Sequence, residues 1–154
     1  MLPISEDTSD LVFRVLFSTI FVGLGFEHLL SDDLLQALMP GWIGPKRLLS
    51  LASGAVLLTG GLSIMLGIKT HLGASVLIVF LVAVTALVHG PGLFGYPDDM
   101  PEDWQWIWQV YQRSNFVKNI CLIGVCVHLI THQTGRYSLD YYLQTRHRAS
   151  SALL

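Results

Sequence analysis

Four stretches of the chain are each close to the roughly 20 apolar residues that an α-helix needs to cross a bilayer, and few soluble folds can absorb four such runs in one short chain. "LVFRVLFSTIFVGLGFEHLL" (11–30) is apolar apart from Arg14 near its start and Glu27-His28 near its end. "LLSLASGAVLLTGGLSIMLG" (48–67) has no charge, and "THLGASVLIVFLVAVTALVH" (70–89) has only histidines, one near each end. "FVKNICLIGVCVHLITHQT" (116–134) has a shorter uninterrupted core and contains His128. It still reads as a span, because Lys118 can snorkel at one end and the alternative strands a long apolar run in water. None of the four windows contains proline, which suits uninterrupted helices.

Composition agrees. Hydrophobic residues make up 52% and charged ones 13% of the 154 residues, about half the charge of an ordinary soluble domain. The mean hydropathy of +0.54 points to lipid as the solvent, and the length allows one domain over 1–154. With a net charge of −2 there is no basic surface to propose a nucleic-acid partner. "MLPISEDTSD" carries acids and no Lys or Arg, unlike the positive start of a secretory signal, so the first apolar run is expected to be retained.

The connections set the topology. "IKT" makes the second and third spans a tight antiparallel hairpin, and "SDDLLQALMPGWIGPKR" carries the Pro and Gly punctuation of a turn region. In the third loop, "PEDWQWIWQVYQR" brings Trp104, Ile107, Trp108 and Tyr111 to one face at helical spacing. That pattern predicts a short amphipathic helix in the headgroup layer, where aromatic rings are at home. The fold expected is therefore all-α, a transmembrane four-helix bundle with one interfacial helix. Both termini share a side, which holds Arg14, Lys69, Arg136, Arg146 and Arg148 against Lys46, Arg47, Arg113 and Lys118 on the other. The excess of basic residues favours cytoplasmic termini, and Asp32, Asp33, Asp98, Asp99, Glu102 and Asp103 in the two long loops agree in sense.

"RVLFSTIFVGLGFEHLL", "MPGWIGPKRLLSLASGAVLLTGGLSIMLGIKTHLGA" and "NFVKNICLIGV" closing on "GRYSLD" (135–140) resemble the DoxX family of four-helix membrane proteins in order and length. That resemblance implies a small membrane subunit associated with a quinone-linked oxidase and thiosulfate oxidation, with some members joining membrane oxidoreductase assemblies. It implies a bacterial inner-membrane location. Related subfamilies often carry a glutamate inside the second span; here "GAVLLTGG" has none.

Ionisable residues inside a membrane are costly and tend to face the bundle interior. In the first span Arg14, Phe21, Gly25 and His28 return to one face, with Arg14 and His28 about 21 Å apart along the axis. Glu27 points some 100° away from His28. The ends of spans one and three and the start of span four lie at the same membrane surface, so Glu27, His28, His89, Lys118 and Asn119 are expected to converge there. Such a cluster suits a quinone headgroup, through hydrogen bonds to its carbonyls and the near-neutral titration of histidine; the bland alternative is that each residue caps or anchors its helix. In span four Cys121, Gly124, His128 and His132 share a face, a weaker candidate for a metal because no third strong ligand has recognisable spacing. Cys121 and Cys126 fall about 140° apart on a helix and cannot pair within it. Ser50, Gly54 and Gly61, with Ser53 and Gly60 beside them, read as a surface for close helix packing.

No nucleotide loop, nucleophile-base pair, CxxCH or redox thiol pair occurs, so no self-contained catalyst is legible. Three roles stay open: an accessory or anchoring subunit of a quinone-linked redox complex with lipid and redox-protein partners; a small transporter or metal handler; or a structural assembly factor.

Overall fold

A computed structural model describes residues 4–31, 33–97 and 100–151. Asp32, Asp98 and Asp99 of the orientation argument lie outside the described residues, as does the side chain of Arg148. The elements run α1 (Glu6–Leu30), α2 (Asp33–Leu38), α3 (Lys46–Leu66), α4 (Thr70–Val84), a π turn (Thr85–His89), α5 (Gly90–Gly92), a 3-10 turn (Glu102–Trp104), α6 (Gln105–Thr131) and α7 (Leu139–Ser151). Helices Glu6–Leu30, Lys46–Leu66, Thr70–Gly92 and Glu102–Thr131 are long and apolar enough to cross a membrane, which gives the all-α four-helix bundle expected.

Local chemistry marks the start of α1 and the end of α3. Ser5 caps α1, its hydroxyl accepting from the Thr8 N–H, so α1 begins five residues ahead of the apolar run. At the far end of α3, Gly67 adopts φ 64° and closes the helix with its N–H on the Ile64 carbonyl. Lys69 is also left-handed, at φ 47°, and between them they turn α3 into α4 within three residues. Within the turn-rich first loop, "DLLQAL" forms the short α2.

The aromatic segment differs from expectation. No separate interfacial helix forms; α6 runs unbroken for 27 residues from Gln105, about 40 Å against a hydrocarbon core of about 30 Å. Neither Gly nor Pro interrupts the sequence between Trp104 and Gly124, so the helix has no reason to stop at the membrane surface. Trp104 and Trp106 are exposed on these first turns, whereas Trp108 and Tyr111 turn inward.

Packing is made possible by small residues. A Cβ at Gly54 would lie 2.9 Å from the Gly25 carbonyl oxygen and from His28 Cβ, and one at Gly61 2.9 Å from Phe21 Cβ. These glycines bring α3 against α1 as the sequence pattern predicted, and Gly60 and Gly73 do the same for α3 against α4. The core they enclose holds Phe21, Leu57, Ile64, Ala74, Leu77, Leu81, Cys126 and Leu129.

At the end of the bundle that carries the termini, a polar clamp is organised around Arg14, which has no exposed surface. Its Nε donates to Asp10 Oδ2 at 2.9 Å, Nη1 to the Met65 carbonyl at 2.8 Å and Nη2 to the Tyr137 carbonyl at 2.9 Å. Asp10 also accepts the Gly135 N–H, and its Oδ1 lies 2.8 Å from His132 Nε2. Nearby, Asp7 holds Arg136 through the backbone N–H and through Nε. Asp140 accepts the Lys69 N–H at 2.8 Å while its own N–H reaches the Gly67 carbonyl. "GRYSLD" is thus a latch joining the N-terminal turn of α1, the α3–α4 hairpin and the start of α7, which Ser138 opens by accepting the Tyr141 N–H.

Two outcomes test this reading. Gly54→Leu forces a side chain into the α1–α3 contact and lowers the thermal midpoint in detergent by an amount equivalent to at least about 2 kcal/mol, whereas Gly124→Ala, with nothing within 4 Å, leaves it unchanged. Arg14→Ala takes the guanidinium from Asp10, which keeps the Gly135 N–H and His132, and removes the Arg14 donors from two carbonyls, and it costs about 3–5 kcal/mol; Arg14→Lys restores only part, because one ammonium does not reproduce the guanidinium fork.

Candidate functional site

At the opposite, loop end of the bundle, polar side chains line the interface between the third span and α6. The π turn presents Thr85 and His89, four residues apart, toward α6, and both are buried. On α6, Gln112 and Asn119 are seven residues apart, two turns of helix, so they share the facing side. Asn119 Nδ2 donates to Thr85 Oγ1 at 3.0 Å, and His89 Nδ1 lies 2.8 Å from Gln112 Oε1. Four polar groups are therefore paired two by two inside an apolar interface, where unpaired ones would be costly.

The pairing fixes a tautomer. A carboxamide oxygen only accepts, so His89 Nδ1 carries the proton and donates to Gln112 Oε1. In neutral His89 the Nε2 is then a bare lone pair, able to accept a hydrogen bond, and it becomes a donor when the ring is protonated. The Tyr111 ring packs edge-on to the imidazole with centroids 6.1 Å apart, and Trp108 packs beside Tyr111. Trp108 Nε1 donates to the Gly95 and Gly92 carbonyls and ties the following loop down over this end; Gln109 adds a hydrogen bond to the Tyr96 hydroxyl. Gly92 leaves room for Gln112, since a Cβ there would fall 2.5 Å from the carboxamide carbon. One turn on, Lys118 Nζ donates to Asn115 Oδ1 at 2.6 Å, and Asn115 reaches back to the Tyr111 carbonyl.

The five residues expected to converge do not: four are divided between two interfaces and the fifth is exposed. His89 and Asn119 sit together in the polar seam between the third span and α6, and Lys118 lies beside it on α6. His28 instead faces α3: its Nδ1 lies 2.9 Å from Ser50 Oγ and its Cβ abuts Gly54. Glu27 is exposed on the last turn of α1. Sequence reasoning missed Gln112 and Thr85, the direct partners of His89 and Asn119. The signal was present, since Gln112 lies one heptad before Asn119, but it fell in a segment assigned to the membrane surface.

In the Cys121, Gly124 and His128 stripe, all three residues face outward from the bundle. The His128 and His132 rings are 5.6 Å apart, as their spacing predicts, and His132 Nε2 is engaged by Asp10. Among the described residues no group of three or more His, Cys, Asp or Glu is placed to hold a metal ion.

Four apolar helices of spanning length define a multi-pass integral membrane protein. The chain matches the DoxX family model over residues 9–90, which run from the first turn of α1 through the π turn of the third span, and it belongs to the DoxX family. Neither the curated proteins nor the solved structures provide a match.

Removing the Gln112 acceptor by Gln112→Leu frees His89 to rotate and to change tautomer. The measurement is the imidazole nitrogen shifts of labelled protein in lipid: the wild type shows a single Nδ1–H population, and the variant a mixture dominated by Nε2–H.

Proposed function

We propose that this protein is a DoxX-type subunit of a quinone-linked redox complex in a bacterial inner membrane, with cytoplasmic termini, and that the seam between the third span and α6 receives the quinone headgroup. The observation that carries the reading is His89, held by Gln112 as the Nδ1–H tautomer with no hydrogen bond to Nε2 among the described residues, next to the Tyr111 and Trp108 rings. The residues suit such a ring: Nε2 accepts from a hydroxyl or, once protonated, donates to a carbonyl, Tyr111 offers an aromatic face, and Lys118 supplies positive charge nearby. A quinone supplies the two-electron, two-proton carrier chemistry that a membrane redox partner needs. Gln112 orients the imidazole, Asn119 and Thr85 fix the helix pair, and Trp108 keeps the loop closed over the seam. The other two readings, metal handling and pure assembly, lack a comparable convergence of groups.

Quenching of tryptophan fluorescence by a short-chain quinone, with protein in lipid nanodiscs, tests the proposal. His89→Ala is expected to weaken quenching affinity at least tenfold, while His28→Ala and Glu27→Ala leave it unchanged. Equal affinity in folded His89→Ala protein removes the site. Failure of any redox protein to co-purify in mild detergent removes the complex.

A further inference from the structure

A recess lies at the end of the molecule away from the seam, on the outer face of the α3–α4 hairpin. It is a shallow groove of about 320 Å³ lined by Thr59, Gly60 and Ser63 from α3 and by Lys69, Leu72 and Val76 from the hairpin and α4. Its depth comes from the close crossing of Gly60 and Gly73, where a Cβ on Gly73 would meet the Gly60 carbonyl at 3.0 Å. From Lys69 to Val76 the groove follows seven helical residues, about 10 Å along the bilayer normal. Leu72 and Val76 expose half or nearly half of their surface there, 51% and 44%.

The polar groups on the walls are already used within the chain. Ser63 Oγ donates to the Ile68 carbonyl at 2.6 Å, and Thr59 Oγ1 donates to the Ala55 carbonyl at 2.8 Å. Asp140 is turned to the Lys69 backbone N–H, and among the described residues the Lys69 side chain makes no salt bridge. The groove therefore offers an apolar surface, and Lys69 is the one cation among the described residues that line it. A zwitterionic lipid would satisfy that surface and leave the ammonium facing a headgroup with no net charge; an acidic lipid satisfies both.

We propose that the α3–α4 groove is a binding site for an acidic phospholipid of the surrounding bilayer, with its acyl chain along Leu72 and Val76 and its phosphate at Lys69. The site is separate from the quinone seam and does not depend on it. It lies within the latch region, so an occupying lipid would pack against the hairpin that Asp140 fastens.

Protein is reconstituted in nanodiscs of equal phosphatidylglycerol and phosphatidylcholine, released, and its retained lipid counted by native mass spectrometry. Wild-type protein is expected to retain phosphatidylglycerol about fivefold over phosphatidylcholine, the size of effect one basic residue gives at a membrane surface. Lys69→Gln abolishes the preference, and Thr59→Phe, which fills the groove from an exposed position, lowers retention of both lipids at least threefold. Arg146→Gln, a cation of α7 outside the groove, changes neither. Thermal midpoints equal to wild type establish that the variants are folded. Equal retention of the two lipids, a wild-type preference in Lys69→Gln, or the same loss in Arg146→Gln as in Lys69→Gln overturns the proposal; so does displacement of the lipid by a long-tailed quinone.

Discussion

A fully buried guanidinium is the constraint on which the rest of this bundle depends. Arg14 cannot be left in an apolar interior without partners for its charge and its donors, and the chain provides them from three places: Asp10 one turn earlier, the last turn of α3, and the segment after α6. Satisfying one residue therefore fixes the relative height of α1, the hairpin and the end of α6. Gly67 is required twice in that arrangement, for its left-handed turn and because a Cβ would sit 2.7 Å from Arg14 Nη1.

The two ends of the bundle solve the polar problem differently. At the clamp, opposite charges are paired and backed by backbone groups, which produces rigidity and spends almost every donor on the protein itself. At the loop end neutral side chains pair across the seam between the third span and α6, and among the described residues the second His89 nitrogen has no hydrogen-bond partner. A π turn at that point fits the pattern, since such irregularities in helices concentrate where side chains are aimed at something other than packing. Between the ends the helices touch through glycines and a small apolar core.

Much of the architecture was legible because bilayer thickness imposes a length that apolar windows reveal directly. The windows give the part of each helix that lies in lipid, and not its ends: the Ser5 cap lengthens α1 and the absence of a breaker lengthens α6. The small residues of α3 were readable for the same reason, as only close packing explains them. Half of the candidate site was visible. His89 and Asn119 stand out as polar residues at the edge of spans, and they do meet at one interface. Their grouping with Glu27 and His28 rested on shared depth alone, and depth does not say which neighbour a helix face meets; α1 turns His28 toward Ser50. Arg14 was noticed, but its partners Met65 and Tyr137 contribute backbone carbonyls, which carry no signature in side-chain identity.

The bond from Arg14 to the Tyr137 carbonyl joins residues 123 positions apart. During synthesis the first span enters the membrane with its arginine supported by Asp10 alone, and its remaining partners arrive in order: the Met65 carbonyl with the second span, the Tyr137 carbonyl after the fourth. The latch is thus complete only when the segment after the fourth span is in place, and without "GRYSLD" the cation buried in the first helix lacks one of its three partners.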